Sequence, residues 1–294
     1  MQPRLDPAAV RRQLRDAGLR ARHDRSQNFL ADVDVLERIL AEAAPEPGRR
    51  VLEIGPGLGI LTGGLLDAGA AVTAVELDEG LVGAVRERFA AAIAAGEGDP
   101  AGPGTLRVIA GDALDHDLVR LVPPPYDVVA NLPYHITSPI LHRLLGEAPR
   151  AERLVLMVQR EVAERIAAPP GRMSYLSVFV QYHARVRVAF RVPREAFEPA
   201  PKVESAVIVV EPYAGDDRLE AAAEEGLWRV VQAGFRERRK MLHNVLARQL
   251  PIPGERVDAA LAAAGIAPDR RPQTLDVGEW IALVDALGPL PPMR

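Results

Sequence analysis

The chain has 294 residues, about twice the length of a typical domain, so we expect one large domain and one smaller domain. Hydrophobic residues make up 48% of the sequence and charged residues 26%, which excludes general disorder and allows a sizeable core. The absence of cysteine excludes disulfides and a thiol nucleophile, and the net charge of −4 argues against indiscriminate coating of nucleic acid.

The amino-terminal segment 1–25 is rich in arginine and contains no apolar run of the kind found in a signal peptide. No stretch elsewhere is apolar for long enough to span a bilayer, so we expect a cytoplasmic protein without a membrane partner. Arg22 and Arg25 belong to this basic segment and are candidate phosphate contacts.

Short β-branched runs alternate with longer amphipathic stretches from residue 50 to about residue 210. This alternation predicts an α/β fold in which helices cover a mostly parallel sheet. The Gly- and Pro-rich stretch 96–104 predicts a solvent loop. The predicted strands occupy residues 50–54, 71–76, 105–110, 126–130, 153–159, 185–192 and 203–211.

The last two predicted strands are joined only by the Pro-rich stretch 193–201, which is too short for a helical crossover. We therefore predict that they pair antiparallel and make the seven-stranded sheet mixed at one edge. After residue 213 the strand pattern stops, and the remainder predicts helices. The expected domains are 1–212 and a small all-α domain, 213–294.

A glycine-rich turn follows the first predicted strand. Gly55 and Gly57 begin a G-x-G-x-G spacing just after Glu53, and a ligand must approach such a backbone closely. A dinucleotide fingerprint would have its third glycine where Ile60 stands, which disfavours a pyrophosphate. Taken alone, the turn could equally be a tight strand–helix connection.

Acidic residues stand at the ends of the next two predicted strands. Glu76 ends the second strand, where its carboxylate can accept both hydroxyl protons of a ribose. Asp112, followed by Ala113, comes just after the third strand and can accept from an adenine amino group. With Glu53, this acidity suits a sulfonium amino acid joined to a nucleoside better than a phosphate. The three strand ends predict one cofactor crevice.

Asn131, Leu132, Pro133 and Tyr134 follow the fourth strand, across the crevice from the glycine turn. An adenine amino nitrogen is a poor nucleophile because its lone pair is delocalised into the ring, so methylation needs acceptors that favour a pyramidal nitrogen. Asn131 Oδ1 and the Leu132 carbonyl can be those acceptors. Pro133 helps to aim that carbonyl, and Tyr134 offers a stacking face. A β-turn with an Asn cap is the alternative.

Phe197, in the Pro-rich connection, can close the other face of an extruded base, although a packed hairpin residue is the alternative. In-line transfer from a sulfonium depends on positioning and desolvation, so it requires no catalytic acid or base. The six histidines show no ligand spacing, and we expect no metal.

A helix over residues 228–249 is predicted to carry apolar residues on one face and basic residues on another. Phosphate contact is the functional interpretation of the basic face, and a solvated face is the alternative. Arg238 lies nearer the apolar side, so we expect it to be structural or paired with an acid. The basic face comprises Arg236, Arg239, Lys240 and His243.

Several stretches together resemble the KsgA/RsmA family of small-subunit rRNA adenine dimethyltransferases, in order and over nearly the whole chain. They are Gln27-Asn28-Phe29-Leu30, the glycine turn, Glu76, Asp112, Asn131 to Tyr134, Phe197 to Ser205, and Arg238-Arg239-Lys240. The resemblance implies a Rossmann-like class I methyltransferase domain with a helical carboxyl-terminal domain. It also implies S-adenosylmethionine as donor and two adjacent adenosines near the 3′ end of 16S rRNA, in an immature 30S particle, as target.

The resemblance also implies roles for individual residues. Asn28 and Leu30 should flank the amino-acid end of the donor, and Gly55 should contact it through its backbone. Glu76 should bind the ribose of the donor and Asp112 its base. Asn131 should face both donor and target, and Phe197 and Tyr134 should sandwich the target adenine. We expect a monomer.

The chain departs from the family before Gln27, where His23-Asp24-Arg25-Ser26 replaces a Lys-rich stretch with glycine. The large-subunit rRNA adenine dimethyltransferases that confer macrolide resistance share the same motifs, although leucine at position 132 favours the small-subunit family. A non-catalytic assembly or transcription factor on the same fold is a second alternative. A DNA adenine methyltransferase is a third, and those enzymes more often carry Asp where Asn131 stands.

Overall fold

The computed structural model describes residues 5–22, 27–98, 102–214 and 219–291. The chain forms two compact units: one takes residues up to 163 together with 186–212, and the other takes 164–185 with the residues from 213 onward. The expected boundary after residue 212 coincides with one of these division points. Residues 164–185, which we expected in the first domain, belong to the second unit.

The main sheet has seven strands, and their positions agree with the predicted ones to within two residues. They are β2 (Arg50–Ile54), β3 (Ala71–Glu76), β4 (Leu106–Ala110), β5 (Asp127–Asn131), β6 (Arg153–Gln159), β7 (Ala184–Val192) and β9 (Ser205–Pro212). Two short strands that the sequence did not predict, β1 (Phe29–Leu30) and β8 (Phe197–Glu198), pair antiparallel in a separate sheet.

The strand order of the main sheet is β4-β3-β2-β5-β6-β9-β7. Strands β2 to β6 pair in parallel, and β9 runs antiparallel to β6, so the predicted mixed sheet is confirmed. The chain passes from β2 to β3 and β4 on one side and then returns to β5 and β6 on the other. A crevice therefore opens at the carboxyl ends of β2 and β5, where the direction of winding reverses.

The central strands are apolar over most of their length because the sheet is covered on both faces. In β6 the five residues from 154 to 158 are buried, and in β5 the first four residues are buried. The helices of the first part of the chain are α1 (Pro7–Asp16), α2 (Val33–Ala43), α3 (Ile60–Asp67), α4 (Glu79–Arg88), α5 (Ala90–Gly98), α6 (Leu118–Leu121), α7 (Thr137–Gly146) and α8 (Arg160–Ile166). Because α5 extends to Gly98, the solvent loop predicted from residue 96 begins too early.

The second unit is helical and has its own core around Trp280, which is fully buried. Its helices are α9 (Tyr175–His183), α10 (Ala221–Arg236), α11 (Leu242–Gln249), α12 (Gly254–Ala263) and α13 (Val277–Leu287). None of the helices in the described ranges is both long enough and apolar enough to cross a membrane.

The helix predicted over residues 228–249 is wrong, because residues 237–241 separate α10 from α11. The amide of Leu242 donates to the carbonyl of Arg270 at 2.7 Å, so a tertiary contact replaces the helical one. Arg239 and Lys240 therefore lie in an exposed turn and not on a helix face. Arg238 is also exposed, and within the described part of the chain it has no acidic partner, contrary to expectation.

Candidate active site

The crevice at the carboxyl ends of the parallel strands brings together every predicted donor and acceptor residue. Its walls come from the loops that follow β2, β3, β4 and β5, and from the paired strands β1 and β8. Among the described residues that line it, none is Lys or Arg, which is unlike a phosphate site. The predicted residues that line it are Asn28, Leu30, Glu53, Gly55, Gly57, Glu76, Asp112, Ala113, Asn131, Leu132, Pro133, Tyr134 and Phe197.

The glycine turn requires glycine for both conformation and space. Gly55 and Gly57 have φ angles of 73° and 58°, in the left-handed region that other residues rarely adopt. A Cβ at Gly57 would lie 3.1 Å from Cδ1 of Phe29. A Cβ at Gly55 would lie 3.8 Å from the carbonyl oxygen of Asn131, so the glycine turn and the acceptor motif face the same crevice.

Glu76 holds the glycine turn through its carboxylate. Its Oε2 accepts from the amide of Gly57 at 3.1 Å, and its Oε1 accepts from the amide of Asp78 at 2.9 Å. Burial raises the pKa of Glu76, and the two amide donors oppose that effect. Each oxygen keeps a second lone pair, so a diol at this position can donate one hydroxyl to each.

Glu53 is fully buried at the end of β2, beneath the glycine turn. Its Oε2 accepts from Oγ1 of Thr62 at 2.7 Å. Burial raises the pKa of Glu53 to about 8, and the nearby Glu76 adds to the shift while Thr62 opposes it. At neutral pH the side chain is therefore mostly an uncharged acid, whereas the sequence suggested a carboxylate.

Asp112 lies in a compact turn after β4. Its Oδ1 accepts from the amide of Leu114 at 2.8 Å, and the residue lines the crevice. Ala113 is buried and contributes to the crevice wall. Leu77, which follows Glu76, lines the crevice with 48% of its surface exposed and was not predicted from the sequence. An apolar residue directly after the acidic strand end was the available signal.

The amide group of Asn131 is oriented by a hydrogen bond across the crevice. Its Nδ2 donates to the carbonyl of Asn28 at 3.3 Å, so Oδ1 is the end presented as an acceptor. The next residue, Leu132, has a buried side chain, and its amide donates to the carbonyl of Met157 in β6 at 3.1 Å. These bonds fix the tetrapeptide against the residue before β1 and against β6.

Tyr134 is fixed by its hydroxyl, which shares a 2.9 Å hydrogen bond with Oγ of Ser205 at the start of β9. Burial raises the pKa of this hydroxyl, and the bond to Ser205 opposes the shift. Phe197 lines the crevice but is only 2% exposed and packs in the core with Phe29 and Leu30. Phe197 is therefore packed as in the alternative interpretation of the sequence, and it also borders the crevice.

The candidate phosphate contacts are distributed over both units. Arg22 belongs to the first unit, where its Nη1 lies 4.0 Å from Oδ2 of Asp78, and Arg25 lies outside the described residues. Arg236 is exposed and donates to Oε1 of Gln249 at 2.8 Å. Across the described ranges, no group of three or more His, Asp or Glu side chains is arranged to hold a metal ion.

Comparison with known proteins matches residues 18–288 to the model of the family described as "Ribosomal RNA adenine dimethylase". The chain belongs to the ribosomal RNA adenine dimethylase family. It is a class I methyltransferase that uses S-adenosylmethionine, as the resemblance implied.

Individual relatives of this dimethylase family cover most of the chain. The Ribosomal RNA small subunit methyltransferase A of Geobacter sulfurreducens is 42% identical over 93% of this chain and 98% of its own length. The protein of the same name from Synechococcus is also 42% identical, with the same two coverages.

Solved structures of the family show the same fold. The 23S rRNA methyltransferase ErmE has a TM-score of 0.68 and 32% identity, covering 88% of this chain and 99% of that one. A dimethyladenosine transferase from Plasmodium falciparum has a TM-score of 0.70 and 26% identity, covering 87% of this chain and 95% of that one.

Proposed function

We propose that this chain transfers methyl groups from S-adenosylmethionine to N6 of two adjacent adenosines near the 3′ end of 16S rRNA, giving N6,N6-dimethyladenosine. The observation that carries the proposal is the 3.8 Å separation between the Asn131 carbonyl oxygen and the Cβ position of Gly55. Donor turn and acceptor motif thus face one another across one crevice. The 42% identity to two proteins named as small-subunit methyltransferases supports the choice of substrate.

The residues of the crevice fit the donor in both shape and chemistry. S-adenosylmethionine supplies an electrophilic methyl group on a sulfonium. The bare backbone of Gly55 and Gly57 leaves room for the amino-acid end, which Asn28 and Leu30 flank. Carboxylate oxygens of Glu76 accept the two ribose hydroxyls.

The base of the donor lies beside the loop after β4. Oδ2 of Asp112 accepts from the amino group of the donor adenine, while its Oδ1 is held by the amide of Leu114. Ala113 and Leu77 supply apolar contacts to the purine ring. The position of the loop therefore determines how well the adenine is recognised.

Asn131 and Leu132 prepare the target nitrogen for transfer. Asn131 Oδ1 and the Leu132 carbonyl accept from the N6 hydrogens and draw the nitrogen toward a pyramidal geometry, which frees its lone pair. That lone pair forms the new N–C bond as the S–C bond breaks and its electrons remain on sulfur. The nitrogen then releases its extra proton to solvent, so positioning supplies most of the rate.

Aromatic side chains hold the extruded target base. Tyr134, fixed through Ser205, stacks on one face and Phe197 on the other, and each such contact is worth about 1–3 kcal/mol. Phosphates of the RNA are contacted by Arg22 and Arg25 in the basic amino-terminal segment. The second unit contributes Arg236, Arg239 and Lys240, which are exposed.

The substrate we propose is the immature 30S particle, and a single copy of the chain acts on it. One chain supplies all the donor and acceptor residues named above, so the proposed chemistry needs no second subunit. A particle of this kind is assembled in the cytoplasm. Sedimentation of the purified chain should give the mass of a monomer, and a stable dimer would contradict this part of the proposal.

Replacing Asn131 with Ala tests the proposed chemistry. We expect N131A to lower the methylation rate by about 10²-fold or more, the usual loss when one transition-state hydrogen-bond partner is removed. Methylation is measured on immature 30S particles with labelled donor. Binding of the variant to the same particles should persist. Asn244, which lies in α11 outside the crevice, provides the control N244A. Unchanged methylation by N131A would refute the role assigned to Asn131.

The choice of RNA is tested separately. Purified enzyme should methylate immature small subunits and leave large-subunit RNA and DNA unmodified. Mass spectrometry of rRNA from a deletion strain should show loss of the two dimethyladenosines. Methylation of large-subunit RNA alone would favour 23S rRNA, the substrate named for ErmE. RNA binding without any methylation would favour a non-catalytic assembly or transcription factor.

A further inference from the structure

Arg143 lies on α7, the helix that follows the acceptor tetrapeptide after one short 3-10 turn, Tyr134–Ile136. Its side chain points at a different part of the crevice wall, the loop between β4 and α6. That loop carries Asp112, to which we assigned the donor adenine. Arg143 is not part of any motif predicted from the sequence.

One nitrogen of Arg143 is surrounded by three backbone carbonyls of this loop. Its Nη1 donates to the carbonyl of His116 at 2.8 Å, to that of Leu114, and more weakly to that of Ala113 at 3.4 Å. Nε faces Glu147 one turn along the helix at 3.7 Å. Charge-assisted bonds of this kind are stronger than neutral ones, and here they converge on three carbonyls within residues 113–116.

The loop is tied to the site at its first residue, because the amide of Gly111 donates to the carbonyl of Glu76 at 2.8 Å, and the residues after it have local bonds of their own. The amide of Leu114 donates to Asp112 Oδ1, and the amide of Asp115 donates to the Asp112 carbonyl at 3.0 Å. These bonds define the shape of the turn. Arg143 connects the turn to α7, which begins three residues after the acceptor motif.

We propose that Arg143 is a positioning residue: it holds Asp112 where its carboxylate meets the donor adenine. It does so by connecting the loop between β4 and α6 to α7. The inference rests on the proposed function, because it takes the donor site as given. Loss of Arg143 leaves three carbonyls without their charged donor, so the loop relaxes and the Asp112 carboxylate moves. The part of the donor affinity that depends on the adenine amino group should therefore decrease.

The test compares two ligands by calorimetry. One is S-adenosylhomocysteine, and the other is its deamino analogue, in which hydrogen replaces the adenine amino group. We expect R143A to weaken S-adenosylhomocysteine binding about tenfold and to change binding of the analogue by less than about threefold. The double variant R143A/D112N should be no weaker than D112N, because both act on one contact.

Two further variants keep the result interpretable. R143K retains the charge but lacks the planar guanidinium, so its loss should be intermediate, and it serves if R143A does not fold. Arg120, an exposed residue of the neighbouring α6 that pairs with Asp117 at 3.1 Å, provides the matched control R120A. In kinetics with saturating RNA, R143A should raise KM for the donor and leave kcat within about threefold of wild type.

Equal losses for both ligands would show that Arg143 only supports the fold, and unchanged binding of S-adenosylhomocysteine would show no role at all. Either result overturns the positioning role while leaving the proposed function intact. Failure of the unmodified protein to bind S-adenosylhomocysteine would instead contradict the proposed function itself.

Discussion

At the scale of single residues, Glu53 shows how burial changes the charge of a side chain in a sequence motif. The sequence places an acid two residues before the first glycine, which suggested a negative charge near the donor. In the folded chain the side chain is fully buried with Thr62 as its hydrogen-bond partner, and its pKa rises to about 8. The charge at neutral pH is thus decided by desolvation, which no spacing of residues encodes.

The raised pKa of Glu53 predicts a pH-dependent stability. Between about pH 4.5 and 8 the folded protein keeps the Glu53 proton that the unfolded chain has lost, so this residue makes stability fall as pH rises. We expect E53Q to lack this component. Relative to E53Q, the wild type should lose about 1 kcal/mol or more between pH 6 and pH 8, since one pKa unit corresponds to 1.36 kcal/mol.

Urea unfolding at a series of pH values checks the Glu53 prediction. E87Q, which removes an exposed carboxyl group of α4, is the control and should follow the wild-type profile. Parallel profiles for E53Q and wild type would mean that Glu53 is ionised in the folded state.

At the scale of elements, the break between α10 and α11 changes how the basic cluster is presented. A helix over residues 228–249 would have spaced the basic side chains around a cylinder. The turn at residues 237–241 instead exposes Arg239 and Lys240 next to each other, because Leu242 is anchored to Arg270 and buried. Two adjacent exposed cations are well suited to a phosphate backbone.

Removing both cations should weaken RNA binding and its salt dependence together. For R239A/K240A we expect the slope of log K against log[salt] to become shallower by about 1 to 2, since each phosphate contact contributes nearly one. Donor affinity should stay the same. R107A/R120A, which removes two exposed arginines, one in the edge strand β4 and one in α6, is the charge-matched comparison. An unaltered slope would show that Arg239 and Lys240 face solvent and do not contact phosphates.

At the scale of the whole molecule, each of the two units contains a hydrophobic core within its described residues. One core lies around the sheet and includes residues of α1, α2 and β9, and the other surrounds Trp280. Residues 164–185 lie between strands of the sheet in sequence but belong to the helical unit. Because each unit buries its own apolar surface, damage to one core should have local effects.

W280A should therefore destabilise the second unit selectively. Deletion of a buried Trp side chain costs about 3–5 kcal/mol, and here it removes the centre of the smaller core. Hydrogen exchange should accelerate in α10 to α13, while the affinity for S-adenosylhomocysteine stays within about twofold of wild type. Equal acceleration in β2 to β6 would show that the two units unfold as one.

The sequence alone determined the strands of the main sheet, the crevice at their carboxyl ends and many of the residues that line it. It could do so because strand burial and close backbone approach are local requirements, visible as apolar runs and as Gly55 and Gly57. Tertiary structure alone decided the bonds of Arg143 to a distant loop, the protonation of Glu53, the turn at residues 237–241 and the assignment of residues 164–185. Each of these depends on contacts between residues far apart in the chain, where packing and desolvation override local preference.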